Sequence, residues 1–205
     1  MARDRSPIVK QSRREGYALH PKAHKIMAKR TTIPGEHGGG RQQKPSGYAL
    51  QLREKQKVRR LYGLLEKQFS NLMKEAGRTP GQSGQVLLQL LERRLDNAVY
   101  RAGFATSRRG ARQLVGHGHF MLNGRRVDIP SIRLEEGDEI VIRPKSKNNE
   151  YFKQLTDVVT ASGQPSLSWL KSDAKKMTIQ ITGLPKREEA EPDINEQLIV
   201  EYYSR

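Results

Sequence analysis

Between residues 107 and 126 the chain carries Ser107, Arg108, Arg109, Arg112 and Gln113, then His117, Asn123, Arg125 and Arg126. No Ser/His/Asp set, metal cluster or nucleotide loop accompanies them, so the chemistry on offer is binding rather than bond-making. On a helical wheel Arg108, Arg109 and Arg112 fall together, off the apolar stripe of Ala111, Leu114 and Val115. Guanidinium forks match phosphate oxygens two at a time. A Ser107 cap would leave amide donors at a helix N-terminus that also favours phosphate. Such a surface suits a structured polyanion, and RNA leads the candidates. Reversing the charge of Arg108 and Arg112 is therefore expected to weaken RNA binding and leave the fold intact.

Composition supports this. The 205 residues hold 38 Lys and Arg against 22 Asp and Glu, a formal charge of +16. That excess is the electrostatic footprint of a nucleic-acid binder. No run approaches the ~20 apolar residues of a membrane span, so no membrane partner is expected. The absence of cysteine excludes disulfides and Cys-ligated zinc and fits a cytoplasmic protein. Residues 1–62 carry +12 of the charge, whereas residues 188–205 hold six carboxylates against Arg205 alone.

The elements that must position these groups follow from periodicity. Residues 1–46 are rich in Lys, Arg, Gly and Pro and read as an extended basic arm, poorly ordered without a partner, presenting Arg3, Arg5, Arg13, Arg14 and Lys44. Gly38-Gly39-Gly40 reads as a flexible hinge. Residues 47–76 are helical, with Val58, Leu61, Leu65, Phe69 and Leu72 on one stripe. Arg53, Lys57 and Arg60 lie on the opposite face, and Lys55 and Arg59 complete a basic stretch with few i±4 acids to neutralise it. Leu91, Leu95 and Val99 predict one helix that contains Arg94, broken at Gly103. Asn123-Gly124 predicts a hairpin whose partner strand is residues 139–143. A helix over residues 151–160, a turn at residues 163–165 and a strand over residues 177–182 follow. Asp193 caps a terminal helix, with Glu196 in the capping-box position. The run Glu135, Glu136, Asp138 and Glu139 cannot face phosphate and reads as a solvated turn or a contact with a basic protein.

Several stretches together resemble a known family. Leu91-Glu92-x-Arg94-Leu95, Val99-Tyr100-Arg101 and Ser107-x-x-x-Ala111-Arg112-x-Leu114-Val115 resemble the small RNA-binding module of the bacterial small-subunit ribosomal protein S-four family. The flanks Ser12-Arg13-Arg14-Glu15-Gly16, Pro34-Gly35-Glu36-His37-Gly38, residues 51–63, Trp169-Leu170 and residues 195–205 extend the likeness over nearly the whole chain. The resemblance implies an α+β fold in which a mostly helical domain embraces a small αβ module of two helices and a short-stranded sheet. It also implies an arm of residues 1–46, a helical domain of residues 47–90 and 187–205, and a module of residues 91–186. It implies binding of 16S rRNA at a multi-helix junction of the 5′ domain and an early role in small-subunit assembly. Contacts with ribosomal protein five, through Glu135, Glu136 and Asp138, with other small-subunit proteins and with messenger RNA belong to the same implication. Many relatives hold zinc through four arm cysteines. Two of those positions here are Val9 and Ser12, which resembles the zinc-free branch, and neither cofactor nor metal is expected.

Recognition of A-form RNA would then rest on phosphates and shape, because its base edges lie in a deep narrow groove. Aromatics are only 6% of the chain and fall mostly on core stripes, which disfavours base stacking. Arg94-Leu95-Asp96 also resembles the tripeptide of a pseudouridine synthase family. Asp96 lies inside the module's own helix, however, and Asn97-Ala98-Val99 replace the expected continuation, so an enzyme is not expected. The remaining alternative is a free RNA-binding regulator of translation or transcription built on the same module.

Overall fold

A computed structural model describes residues 4, 6–40, 44–155, 157, 159 and 167–204. Arg3, Arg5 and the turn expected at residues 163–165 lie outside the described residues. The fold is α+β, and the chain divides into two compact units, residues 1–87 with 193–205 and residues 88–192.

The first unit opens with a departure from the expected extended arm, because two helices form there. Helix α1 (Ile8–Glu15) ends at Gly16, which takes the left-handed conformation (φ 64°) that a side chain would resist. Helix α2 (Pro21–Lys29) begins at its proline, whose missing N–H costs nothing at a first helical position. His20 is the cap: its Nδ1 accepts from the Lys22 N–H at 3.1 Å. The Ser12 hydroxyl, fully buried, donates to the Ile8 carbonyl (2.8 Å) and accepts from the Leu19 N–H (3.2 Å), tying α1 to the segment that enters α2. Buried Leu19 and Ala23 supply the apolar contact that periodicity alone did not reveal. Where Gly38-Gly39-Gly40 read as a flexible hinge, Glu36–Gly39 form a 3₁₀ turn that Gly40 ends.

The helical stretch from residue 47 is two elements. Helix α3 (Gly47–Leu61) is capped by Ser46, whose Oγ accepts from the Ala49 N–H at 3.2 Å. It stops at Gly63 (φ 65°), and α4 (Glu66–Ala76) follows. Helix α5 (Ser83–Glu92) runs across the boundary between the units.

In the second unit the helix expected over residues 91–99 is interrupted. Arg94 is extended (φ −69°, ψ 138°) and bridges to Arg133, while the Leu95 N–H donates to the Ile132 carbonyl at 2.9 Å. Helix α6 (Leu95–Arg101) starts there, so Arg94 caps it rather than sitting inside it. Helix α7 (Arg108–Gly116) follows, with the Ser107 Oγ accepting from the Gly110 N–H at 3.2 Å. Both helices pack on one antiparallel sheet of β1 (Phe120–Leu122), β2 (Arg125–Val127), β3 (Glu139–Ile142), β4 (Leu170–Asp173) and β5 (Thr178–Ile181), in spatial order β2-β1-β3-β5-β4. Phe120 faces Val127 across the hairpin and Ile142 on the other side. Asn123 (φ 48°) and Gly124 (φ 79°) both take positive φ, the geometry whose twist matches a hairpin. Strand β4 had no alternating signal: of its residues only Leu170 is buried. The short helices α8 (Pro144–Lys147) and α9 (Glu150–Lys153) follow β3, and buried Phe152 of α9 joins the core with Trp169. The rest of the helix expected over residues 151–160 falls partly outside the described residues.

Helix α10 (Glu196–Tyr203) returns to the first unit and packs on α3. Its cap is Asn195, whose Oδ1 accepts from the Gln197 N–H at 3.2 Å, rather than Asp193. Four polar anchors hold the segment. Gln51 Nε2 donates to Glu201 (2.9 Å) and Lys57 Nζ to the Asp193 carbonyl (2.7 Å). The Asn195 N–H donates to Glu54 (2.9 Å), and the Tyr203 hydroxyl to Glu66 (2.9 Å).

Ser12→Ala would strand the buried Leu19 N–H. It is expected to cost about 1–3 kcal/mol, read as a lower urea midpoint at unchanged slope.

Candidate nucleic-acid interface

The arginines of the second unit divide into two populations. One is internal. Glu92 is fully buried and accepts from Arg101 Nε (3.0 Å), Arg101 Nη2 (2.9 Å) and Asn97 Nδ2 (2.7 Å). Asp96, also buried, accepts from Arg94 Nε (3.1 Å), Arg94 Nη2 (3.2 Å) and Arg112 Nε (2.7 Å). Arg108 donates through Nε to Asn97 Oδ1 (2.9 Å) and through Nη2 to Glu191 (2.7 Å), with its guanidinium 4.6 Å from the Tyr100 ring centroid. Burial alone would push the Glu191 carboxyl up, but the Arg108 and Arg101 charges outweigh it and hold it below its ordinary value.

Arg108 and Arg112 thus have the structural role that the wheel left vacant. Two acids, buried Asp96 of α6 and half-buried Glu191, hold Arg112 and Arg108 respectively, and these pairs tie α7 to α6. Arg94 is likewise an internal ion-pair partner. Ser107 serves as a cap.

The other population is exposed. Arg109 and Gln113 lie on the outer face of α7, Arg125 and Arg126 on β2, and His117 in the turn after α7. The Arg126 guanidinium rests against Gly118, where a Cβ would stand 2.7 Å from Nε. The neighbouring His119 bonds Ser146 of α8 through Nδ1 (3.0 Å) and its carbonyl accepts from the Arg143 N–H (2.9 Å). Burial, then the charges of His117 and Arg143, pull the His119 imidazole below its ordinary value. Around the turn of residues 116–119 the structure therefore assembles Arg126, His117 and Arg143 with Lys145 and Lys147, exposed on either side of Ser146. The two lysines were missed in the sequence, because α8 is a four-residue element inside a stretch without periodicity. Asn123 is occupied: its Nδ2 donates to Asp138 (2.7 Å) and its Oδ1 accepts from the Glu139 N–H (2.9 Å). In the acidic turn Asp138 also accepts from the Glu135 N–H (2.8 Å); the Glu135 and Glu136 side chains are exposed, the former 3.9 Å from Arg93.

The basic stretch of α3 in the first unit is largely committed to the fold. Arg53 and Arg60 both contact buried Glu15, the former at 3.3 Å. Lys55, expected on a phosphate-facing surface, is 3% exposed, 2.8 Å from Glu66 and 4.6 Å from the Tyr202 ring centroid. Lys57 pairs with Glu54 at 2.8 Å, an i,i+3 partner. Arg59 donates to Gln56 (2.9 Å) and to the Leu64 carbonyl (3.2 Å). Arg13 donates to the Thr32 carbonyl through Nε (3.1 Å) and Nη2 (2.8 Å). Arg14 and Lys44 stay exposed, together with Lys22, Lys25, Lys29 and Arg30 around α2.

Among the described residues no group of three or more His, Asp and Glu converges as a metal site. Where zinc-binding relatives would place two ligands, Val9 and Ser12 stand. The Ser12 hydroxyl is already used twice, and His20 spends Nδ1 on its cap. These residues do not fit a metal.

Residues 3–92 match the family described as ribosomal protein S4/S9 N-terminal domain, and residues 93–140 match the S4 domain. The chain is 49% identical over 206 residues to small ribosomal subunit protein uS4 of Roseiflexus sp. (strain RS-1). It is 50% identical to that of Chlorobium phaeovibrioides and 47% identical to that of Thermus thermophilus, each match covering all of both chains.

Reversing Arg108 and Arg112 to Glu places like charges against Glu191 and Asp96. Each broken buried pair costs about 3–5 kcal/mol, a large share of a domain's stability. The double variant is expected to lose the near-native circular dichroism of the second unit, contrary to the fold-neutral outcome anticipated from sequence.

Proposed function

The chain belongs to the small ribosomal subunit protein uS4 family, and from that premise we propose that it binds 16S rRNA directly, at a helical junction of the 5′ domain, and nucleates small-subunit assembly. It is a structural component of the small ribosomal subunit and not an enzyme. What supports direct RNA binding is the exposed cationic group around residues 116–119 that remains after the internal acids have taken their arginines. Arg125 and Arg126 pair through their backbones in the hairpin, while their exposed side chains make no ion pair with another described residue. Arg109, Gln113 and His117 belong to the same proposed contact surface, with Arg14 and Lys44 of the first unit. Ser107, Arg108 and Arg112 hold the surface in place instead of touching RNA.

Phosphate contacts release counterions, so affinity falls with salt in proportion to their number. Arg125→Glu with Arg126→Glu is expected to flatten the log-affinity against log-salt slope for a 5′-domain transcript by up to about two units, with unchanged thermal unfolding. An unchanged slope and affinity would place the RNA elsewhere.

The exposed Glu135 and Glu136, set on a turn that Asp138 locks, support a contact with a basic protein surface. We assign that contact to ribosomal protein five, close to the path of messenger RNA. Glu135→Lys with Glu136→Lys is expected to spare rRNA affinity and to alter misreading of a reporter codon in cells. Normal misreading would remove the assignment.

A further inference from the structure

The first unit contains two adjoining cavities, one mainly apolar, with Glu36 and His37 at its turn wall, and one richer in cations. One, of about 670 Å³, lies between the 3₁₀ turn and the start of α3 and is lined chiefly by Pro34, Ile33, Tyr48, Ala49 and Leu52. The other, of about 390 Å³, is lined by Lys10, Gln11 and Arg60. Arg14, Pro34 and Arg53 line both, so the two compartments share two arginine side chains. The larger falls within the usual span of small-ligand pockets, about 300–1,000 Å³. Its turn wall is closely built: a Cβ on Gly38 would stand 1.7 Å from the Ile33 carbonyl oxygen. Tyr48, 48% exposed, departs from the rule that aromatics in this chain serve the core, and its ring centroid lies 5.9 Å from that of Tyr202.

We propose that these paired cavities hold a single unstacked nucleotide of the bound rRNA, its base in the apolar compartment beside Tyr48 and its phosphate in the cationic one. The inference rests on the RNA-binding function proposed above and adds a subsite to it. Unpaired bases are recognised by splaying them onto aromatic rings and guanidinium planes, and every base has such a face to offer. The charge arrangement fits the same occupant. Arg53 and Arg60 share the Glu15 carboxylate, while Arg14 and Lys10 are exposed and make no ion pair with another described residue. A phosphate entering between them meets two exposed cations, of which Arg14 already acts through its charge on Glu15. An apolar peptide would bury those cations without compensation.

The test uses the full chain and a 5′-domain transcript of 16S rRNA. Ala49→Trp fills the apolar cavity without removing a cation. It is expected to weaken binding on the order of tenfold at an unchanged salt slope, because stacking is lost and no phosphate contact is. One base protected from dimethyl sulfate in the wild-type complex should become reactive in the variant complex. Arg14→Gln should instead reduce the slope by about one unit. Should Ala49→Trp fail to fold, Tyr48→Ala carries the same expectation. Equal affinity and an unchanged modification pattern, with wild type still binding, would overturn the pocket and leave the RNA-binding function standing. Failure of the wild-type chain to bind the transcript would overturn both.

Discussion

Two carboxylates buried in the second unit, those of Glu92 and Asp96, govern much of what surrounds them. A charge removed from water is tolerated only when opposite charge and hydrogen bonds replace the solvent it lost. Here the replacement comes from arginines on three elements: Arg94 before α6, Arg101 at its end, Arg112 on α7. Asn97 extends the network to Arg108, which reaches Glu191 in turn. Because a guanidinium fork fixes direction as well as distance, these pairs set how α6 and α7 cross. The helices then present Ala98, Val99, Ala111 and Val115 to the sheet in one register. The same commitment decides the outer surface, since an arginine held by a buried acid is withdrawn from any external phosphate.

Much of the architecture was legible in the residues. Asn123-Gly124 announced the hairpin, Ser107 its helix cap, and Ile179 and Ile181 their strand by strict alternation. The misreadings have physical causes. In residues 1–46 periodicity was weak because α1 and α2 are short and bury few apolar residues. Their order depends on a serine hydroxyl and on a proline placed where it begins a helix. The break at Arg93-Arg94 was invisible because it is imposed by pairing with residues 132–134, far along the chain. Strand β4 is at an edge of the sheet and needs only one inward side chain.

The candidate interface was less legible than the fold, for an electrostatic reason. A wheel reports which side of a helix a cation occupies but not which acid will meet it in three dimensions. Glu15 reaches Arg53 and Arg60 from about forty residues away, and Glu191 reaches Arg108 from more than eighty. Local acid content near Arg53–Arg60 therefore understated how far that face is neutralised. Conversely, Lys145 and Lys147 gained significance only when the His119–Ser146 bond brought their short helix beside the turn after α7.

Helix α10 has a bearing on how the molecule is made. Gln51, Lys55 and Lys57 on α3 find their partners in residues 193–203 or in Glu66, which Tyr203 helps to orient. A nascent chain that has only reached residue 190 thus carries α3 with its anchoring groups still wet and its inner face open. Closure of the first unit is a late event in synthesis, and a prematurely terminated product would be recognisable to quality-control proteases by that unsealed face.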